Sequence, residues 1–275
     1  MADPRVIVDV EEHVARVRLC RADKRNALDL AMFEGLADAA GKLADEEDLR
    51  AVVIHGEGKS FCAGLDVGAF LADPSMAETL LVKAQGEATN LAQQVCWAWR
   101  RLPVPVIAAL HGEVFGGGLQ IALGADIRIG SPDARLSIME IRWGLVPDMA
   151  GTRVLRDIVS YDVAMDLTLT GRVVSGDEAS AIGLVTRLAV DPVMAANDLA
   201  REIAARSPDA VRTAKHLLHH AWRLDDRQGL DLETQLQMGL LGGRNQMEAA
   251  RAGMEDREPA FRPATVKLAE HDGQE

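Results

Sequence analysis

Long apolar stretches are missing from this chain: no uninterrupted run approaches the roughly 18–20 residues that a membrane-spanning helix needs. The opening residues, MADPRVIVDVEE, carry no basic region followed by an apolar core, so no secretory signal is read there. Cysteine is scarce. Cys20, Cys62 and Cys96 are odd in number, and no two of them stand at metal-ligand spacing. That points to reduced thiols and a cytoplasmic setting. Positive charge is also short. Thirty Lys and Arg face 42 Asp and Glu, a net charge of −12, which argues against a general nucleic-acid surface. An anionic ligand would need a local basic patch. The familiar phosphate loops are absent as well. Gly58-Lys59-Ser60 lacks the upstream glycine of a P-loop, because Val53 stands there, and no G-x-G-x-x-G pattern occurs in the main glycine run.

What is present is an ordinary soluble profile. The 275 residues are 48% hydrophobic and 26% charged, enough for one large domain or one domain with an appendage. The most informative stretch is HGEVFGGGLQIALGAD, residues 111–126. An apolar segment, 104–110, precedes three consecutive glycines, Gly116, Gly117 and Gly118, and an apolar run follows. The local reading is strand, tight glycine turn, helix. Two uses of those glycines stay open: packing helix on strand, or aiming the free N–H groups of a helix N-terminus at a ligand oxygen. A second stretch, FCAGLD at 61–66, again places a glycine, Gly64, just past an apolar strand at 51–55.

In chain order, 6–10 and 14–20 read as strands joined through 11–13. Asp29 caps a helix with apolar positions Met32, Phe33, Leu36, Ala40 and Leu43. Residues 77–101 contain no proline and read as one long helix. Trp97 and Trp99 face different ways on it: one enters the core, and the other is free to line a pocket. Residues 102–105 break that helix. Strands follow near 127–129 and 135–138, helices at 151–159 and 162–170, a capped helix at 175–181 and a last strand at 185–190. From 191 on, the pattern is helical, near 193–206, 210–224, 230–241 and 245–255. His216, His219 and His220 have helical spacing, but no carboxylate or cysteine completes a ligand set, so they read as a metal-free face.

FCAGLD and GGGLQIALGAD, in this order and spacing, with Pro147 and Gly151-Thr152-Arg153 downstream, resemble the enoyl-CoA hydratase/isomerase (crotonase) superfamily. The resemblance covers nearly the whole chain. It implies an α/β fold: a crotonase-like spiral of ββα units over 1–190, holding an acyl-CoA site. Residues 191–275 would form a helical region that packs in a homotrimer or a hexamer built as a dimer of trimers. It implies an acyl-CoA thioester as substrate, with coenzyme A part of that substrate and no metal or redox cofactor, no nucleic acid and no membrane.

Carried over by position, the backbone N–H groups of Ala63 and Gly117 form an oxyanion hole for the thioester oxygen. Leu65 lies beside it, and Asp66 holds the loop. Lys24, Arg25 and Ala27 line the coenzyme A nucleotide, although Ala22 stands where relatives have proline. Trp143 packs beside the acyl chain and raises a neighbouring carboxyl pKa by desolvation. Phe261 and Arg262 reach a neighbouring subunit's coenzyme A. Hydratases of the family use two glutamates. Glu140 matches one, whereas Gln120 stands at the other and cannot act as a base. Asp148, eight residues past Glu140, stands where hydratases have glycine. Carboxylates at both of those positions resemble dienoyl-CoA isomerases, which, unlike this chain, also carry an acid at the position of Gln120. The resemblance favours double-bond isomerisation. Two alternatives stay open: a hydratase working with Glu140 alone or with Gln120 orienting water, and a non-catalytic binder of acyl-CoA or RNA.

Overall fold

The computed structural model of the protein describes residues 3–73, 75–266 and 268. The chain opens with an antiparallel pair, β1 (Val6–Glu11) and β2 (Val14–Leu19). Then come α1 (Leu30–Ala44), β3 (Ala51–Gly56), α2 (Val67–Ala72), α3 (Ser75–Leu81) and α4 (Leu91–Arg101). The central part holds β4 (Val106–Leu110), β5 (Glu113–Phe115), α5 (Gly117–Gly124), β6 (Ile127–Gly130) and β7 (Arg135–Ser137). After it come α6 (Gly151–Leu155), α7 (Tyr161–Thr170), β8 (Val174–Ser175), α8 (Gly176–Ala181) and β9 (Arg187–Leu188). The chain then turns wholly helical among the described residues, with α9 (Pro192–Ala204), α10 (Pro208–Ala221), α11 (Asp226–Leu240) and α12 (Arg244–Glu255).

Six strands form the main sheet in the order β1-β2-β3-β4-β6-β9, parallel from β2 onward, and β5-β7-β8 form a smaller one. The parallel strands read as continuous apolar runs because both of their faces are covered. Val17, Leu19, Val52, Ile54, Ala108 and Leu110 pack with Phe33 and Leu36 of α1, Trp99 of α4 and Leu119 of α5. On the opposite face, Val14, Ala51, Val53, Ile107 and Ala109 pack under Ala196 and Ala200 of α9. The side chains thus divide with period two. Asp29 caps α1 by accepting the Met32 N–H at 2.9 Å, and the apolar stripe of that helix is buried.

The structure corrects five local readings. Residues 77–101 are not one helix. α3 stops at Leu81, Gly86 adopts φ +89°, and α4 starts afresh at Asn90. Asn90 and Gln93 form a reciprocal capping box, which starts a new helix without any proline. The last strand shrinks to Arg187–Leu188, because only that pair reaches β6 and Val190 is 95% exposed. The strand expected from 104 begins at Val106, two residues late, and β5 stands between it and the glycines. α6 ends at Leu155, short of 159. Trp99 is fully buried, and Trp97 packs against the same core rather than in a separate pocket.

α10 is tied to the sheet by a buried charge cluster. The Lys215 ammonium lies 2.7 Å from Asp126 Oδ2 and donates to the Val104 carbonyl at 2.8 Å. Asp126 also accepts the Val106 N–H at 2.8 Å and lies 3.1 Å from His219 Nε2. Burial pushes the Asp126 pKa up, but Lys215 and His219 outweigh it and hold the carboxyl below its ordinary value. Among the described residues, no group of three or more His, Cys, Asp or Glu side chains could hold a metal ion. Breaking a buried pair costs more than deleting it, because one charge is left uncompensated. Asp126→Asn is therefore expected to destabilise the protein by about 3–5 kcal/mol in urea unfolding. Asp126→Asn combined with Lys215→Met should recover most of that loss.

Candidate active site

Two loops leave the C-terminal ends of β3 and β4 and meet over the sheet edge. The first is organised by a residue the sequence reading passed over. Asn26 is fully buried, and its amide nitrogen donates to the carbonyls of Glu57 at 2.9 Å, Ser60 at 2.8 Å and Phe61 at 3.2 Å. Its side-chain oxygen accepts the Arg21 N–H at 2.9 Å. Asn26 thereby locks residues 21–27 to the segment leading into 61–66. Arg25 and Asn26 both sit in the left-handed region, at φ +51° and +56°, a cost the amide's four hydrogen bonds offset. Asp66 caps α2 through the Ala69 N–H at 3.1 Å and pairs with Arg21 at 2.9 Å. The Ala69 N–H and the Arg21 guanidinium hold its carboxyl below the ordinary value, although burial opposes them.

The second loop is the glycine run. Gly118 leaves so little room that a Cβ there would lie 2.5 Å from the Cys62 carbonyl oxygen, and one on Gly64 would lie 2.8 Å from that of Phe115. Gly64 also adopts φ +88°. The two loops therefore abut backbone to backbone, stitched by the Phe115 N–H to the Cys62 carbonyl at 3.0 Å and the Cys62 N–H to the Glu113 carbonyl at 3.1 Å. Gly118 and Gly64 are packing positions, whereas Gly117 opens α5, where first-turn N–H groups have no intrahelical acceptor and Gly116 caps without a side-chain bond. Cys62 in this seam is inert, its thiol pushed up to about 12 by burial.

Ala63 differs from its sequence-based assignment. Its N–H donates to the Arg25 carbonyl at 2.9 Å, so it is not free. An oxyanion hole made of Ala63 and Gly117 requires that carbonyl to share the hydrogen or to turn away. The competing acceptor comes from 38 residues upstream, from a left-handed residue whose carbonyl direction no local pattern reveals.

The acids converge from the far side. Glu140 opens a 3-10 turn, Glu140–Trp143, that packs against the start of the glycine run; a Cβ on Gly116 would lie 3.6 Å from Glu140 Oε1. Gln120, 1% exposed, donates from Nε2 to Glu140 Oε1 at 2.6 Å. Its own Oε1 accepts the N–H groups of Met149 at 3.0 Å and Gly151 at 3.2 Å. Glu140 Oε2 is buried and has no hydrogen-bond partner among the described residues. Burial raises the Glu140 pKa, the nearby Asp148 charge adds to the rise, and the Gln120 amide works against it. Asp148 is exposed as a residue, yet partial burial of its carboxyl also raises its pKa. Two carboxyls with raised pKa values, close enough for the charge of one to act on the other, thus sit on segments that pack against the glycine run.

Other predicted positions fall differently. Trp143 is 60% exposed, so the raised pKa of Glu140 comes from its own burial and not from an indole packed on it. Ile141, Trp143, Leu145 and Val146 instead make an exposed apolar strip beside the acids. Lys24 is exposed. The Arg25 side chain pairs with Glu113 at 2.8 Å, and Glu113 also takes the Ser60 hydroxyl. Ala27 and Leu65 are half-buried next to the loop seam. Phe261 lies away from this site in its own chain: its carbonyl accepts from Arg50, which precedes β3 at the opposite end of the sheet. The Arg262 backbone is held by Asn245 of α12.

The profile of the enoyl-CoA hydratase/isomerase family matches residues 9–263. The mitochondrial Delta(3,5)-Delta(2,4)-dienoyl-CoA isomerase of Mus musculus is 30% identical over 92% of this chain and 80% of its own length. Among solved structures, the enoyl-CoA hydratase of Bacillus anthracis superposes with a TM-score of 0.84 at 29% identity, covering 94% of this chain and 98% of that one. The enoyl-CoA hydratase of Mycobacterium tuberculosis H37Rv gives 0.84 at 29% identity, covering 94% and 99%.

The acid site makes a stability prediction. A carboxyl whose folded pKa exceeds its unfolded pKa favours the fold below that range and costs stability as pH rises through it. Glu140→Gln keeps an oxygen for Gln120 and removes the cost. It should therefore stabilise the protein at pH 7 by about 0.5–2 kcal/mol, as is common when an active-site charge is removed. It should also flatten the decline of stability between the ordinary carboxylate range and neutrality, measured by urea unfolding at several pH values.

Proposed function

The chain belongs to the enoyl-CoA hydratase/isomerase family, and on that premise we propose that this acyl-CoA enzyme moves a double bond in an enoyl- or dienoyl-CoA instead of adding water. The observation that carries the reading is the state of Gln120. Its oxygen accepts two backbone N–H groups and its nitrogen donates to Glu140, and an amide can neither take nor return the proton that activating water requires. What remains chemically available is one unpartnered oxygen of Glu140 and the carboxyl of Asp148.

Those groups suit a proton relay. For a 3,5-dienoyl-CoA, one carboxylate takes a proton from C2. The electron pair spreads over the conjugated chain onto the thioester oxygen, held by the Gly117 N–H and by Ala63 once the Arg25 carbonyl yields. The other carboxyl returns a proton at C6, leaving double bonds at C2 and C4. Raised pKa values fit groups that must give and take protons near neutrality, and each preorganised N–H is worth on the order of 3 kcal/mol in the transition state. The reaction calls on no metal or redox cofactor. Lys24, Arg25 and Ala27 are assigned to the coenzyme A nucleotide, and the exposed strip at Trp143 to the acyl chain or a covering subunit.

Free thiols at Cys20, Cys62 and Cys96 suit a cytoplasmic location, and among the described residues no helix is long and apolar enough to cross a membrane. The −12 charge opposes an RNA-binding role. We also assign a homotrimer or a dimer of trimers. Leu232 is covered within the chain, but Leu218 (54% exposed), Trp222 (76%) and Met238 (67%) are not. A cleft of about 850 Å³ between α10 and the sheet edge, lined by Arg100, Leu218 and Trp222, lies on the same side and away from the acids. Static light scattering at micromolar concentration should give three or six times the chain mass; a monomer refutes the assembly.

The chemistry is tested by a spectroscopic screen of the pure protein against enoyl-CoA and dienoyl-CoA thioesters. Glu140→Gln and Asp148→Asn should each lower isomerisation about 10²–10⁴-fold. The double variant should lose far less than the product of the two, because the acids act as a unit. If Asp148→Asn keeps full turnover of a dienoyl-CoA, or the wild type hydrates crotonyl-CoA rapidly and never shifts a double bond, a hydratase with Glu140 as its sole acid–base residue replaces this reading.

A further inference from the structure

The acid site contains a hub that none of its expected roles describes. Gln120 lies in the first turns of α5, and its buried amide has only one consistent orientation. Two N–H donors, from Met149 and Gly151, converge on Oε1, so Nε2 must face Glu140. Between those donors, Ala150 adopts φ +63°, a left-handed conformation that costs a non-glycine residue about 1–2 kcal/mol. That turn is what aims both N–H groups at one oxygen. Gly151 is required too, since a Cβ there would lie 2.8 Å from Gln120 Cγ and Oε1. The clamped segment directly follows Asp148, and Met149 in turn covers Gly117, where a Cβ would meet its sulfur at 2.7 Å.

We infer that Gln120 is a positioning residue that joins the two acids into one unit: it presents Glu140 with a single reactive oxygen, keeps that carboxyl able to ionise while buried, and fixes the backbone that carries Asp148. This rests on the proposed proton-transfer role of Glu140. The physical reason is that an amide can donate and accept at once. A carboxylate at position 120 would satisfy Met149 and Gly151 equally well but would set a second negative charge against Glu140. An apolar side chain would leave both the two N–H groups and Glu140 Oε1 unpaired.

The charges around Glu140 leave this role to Gln120. α5 brings only the neutral amide, and the loop after the 3-10 turn brings Asp148, a like charge. On α7, Asp166 is tied to Arg172 at 2.6 Å and Asp162 to Ser160 at 2.5 Å. Arg142, on the same turn as Glu140, lies against Gly171. Removing the Gln120 donor therefore raises the pKa of Glu140 further, so the carboxylate is lost at a higher pH.

The test reads Glu140 directly. The protein is labelled with ¹³C at glutamate carboxyls, and the Glu140 signal is assigned by its disappearance in Glu140→Gln. In Gln120→Glu and Gln120→Met, its titration should move to higher pH by about one unit or more. On a dienoyl-CoA that the wild type isomerises, kcat should fall about tenfold or more with KM little changed, and the acidic limb of the rate profile should shift in the same direction. Gln120→Glu is isosteric and keeps both backbone acceptor bonds, so it remains informative should Gln120→Met fail to fold. A Glu140 titration unmoved in the folded Gln120→Glu protein overturns the inference. The titration needs no turnover: a wild type inactive on every acyl-CoA sinks the proposed reaction alone and leaves this result to stand or fall separately.

Discussion

Everything at the candidate site depends on a seam where two backbones touch with no side chain between them. The Gly118 position lies against the Cys62 carbonyl, and Gly64 against that of Phe115, at distances no Cβ tolerates. This contact sets the end of the first loop against the N-terminus of α5, the juxtaposition that the proposed oxyanion hole of Ala63 and Gly117 needs. It also explains the buried apolar character of α5. The whole helix is buried, so its free N-terminal N–H groups are turned inward, away from bulk water, where a hydrogen bond to a developing charge is strongest.

The seam has to be held against strain. Arg25, Asn26 and Ala150 all occupy left-handed conformations without being glycine. Two of the three are stabilised by a buried amide: Asn26 by its own, and Ala150 through the Oε1 of Gln120. The two amides do comparable jobs on opposite sides of the glycine turn. One fixes the loop that bears Ala63, and the other fixes the acids. Amides suit both places because each saturates several backbone groups without bringing a charge into a site whose pKa values matter.

Charge is distributed on the same logic. The chain is strongly acidic overall, yet its environments shift individual carboxyls in opposite directions. Asp126 is held low by Lys215 and His219 and anchors α10. Among the described residues no cation acts on Glu140 or Asp148, and both are raised. Environment, not residue type, separates the structural acid from the pair suited to proton transfer. The Arg25 carbonyl adds a further constraint: while it holds the Ala63 N–H, half of the proposed oxyanion hole is engaged.

The sequence by itself determined the family, the α/β class and the order of most elements. Each rests on short-range chemistry: alternating apolar strands, the Asp29 cap, and glycines at fixed spacing. It also exposed the substitution of glutamine for glutamate at 120. Where the sequence reading failed locally, as at 77–101, a competing local signal was available in Asn90 and Gln93, and it won because caps end helices as surely as proline does. What only the tertiary structure decided is which groups are already spoken for. The Ala63 N–H is engaged, Phe261 lies at the far end of the sheet, Trp143 faces outward, Asn26 organises a loop, and Gln120 serves three partners at once. Those facts depend on hydrogen bonds and contacts between residues tens to hundreds of positions apart. Their directions follow from how the strands and loops close on one another, which no local pattern of residue types encodes.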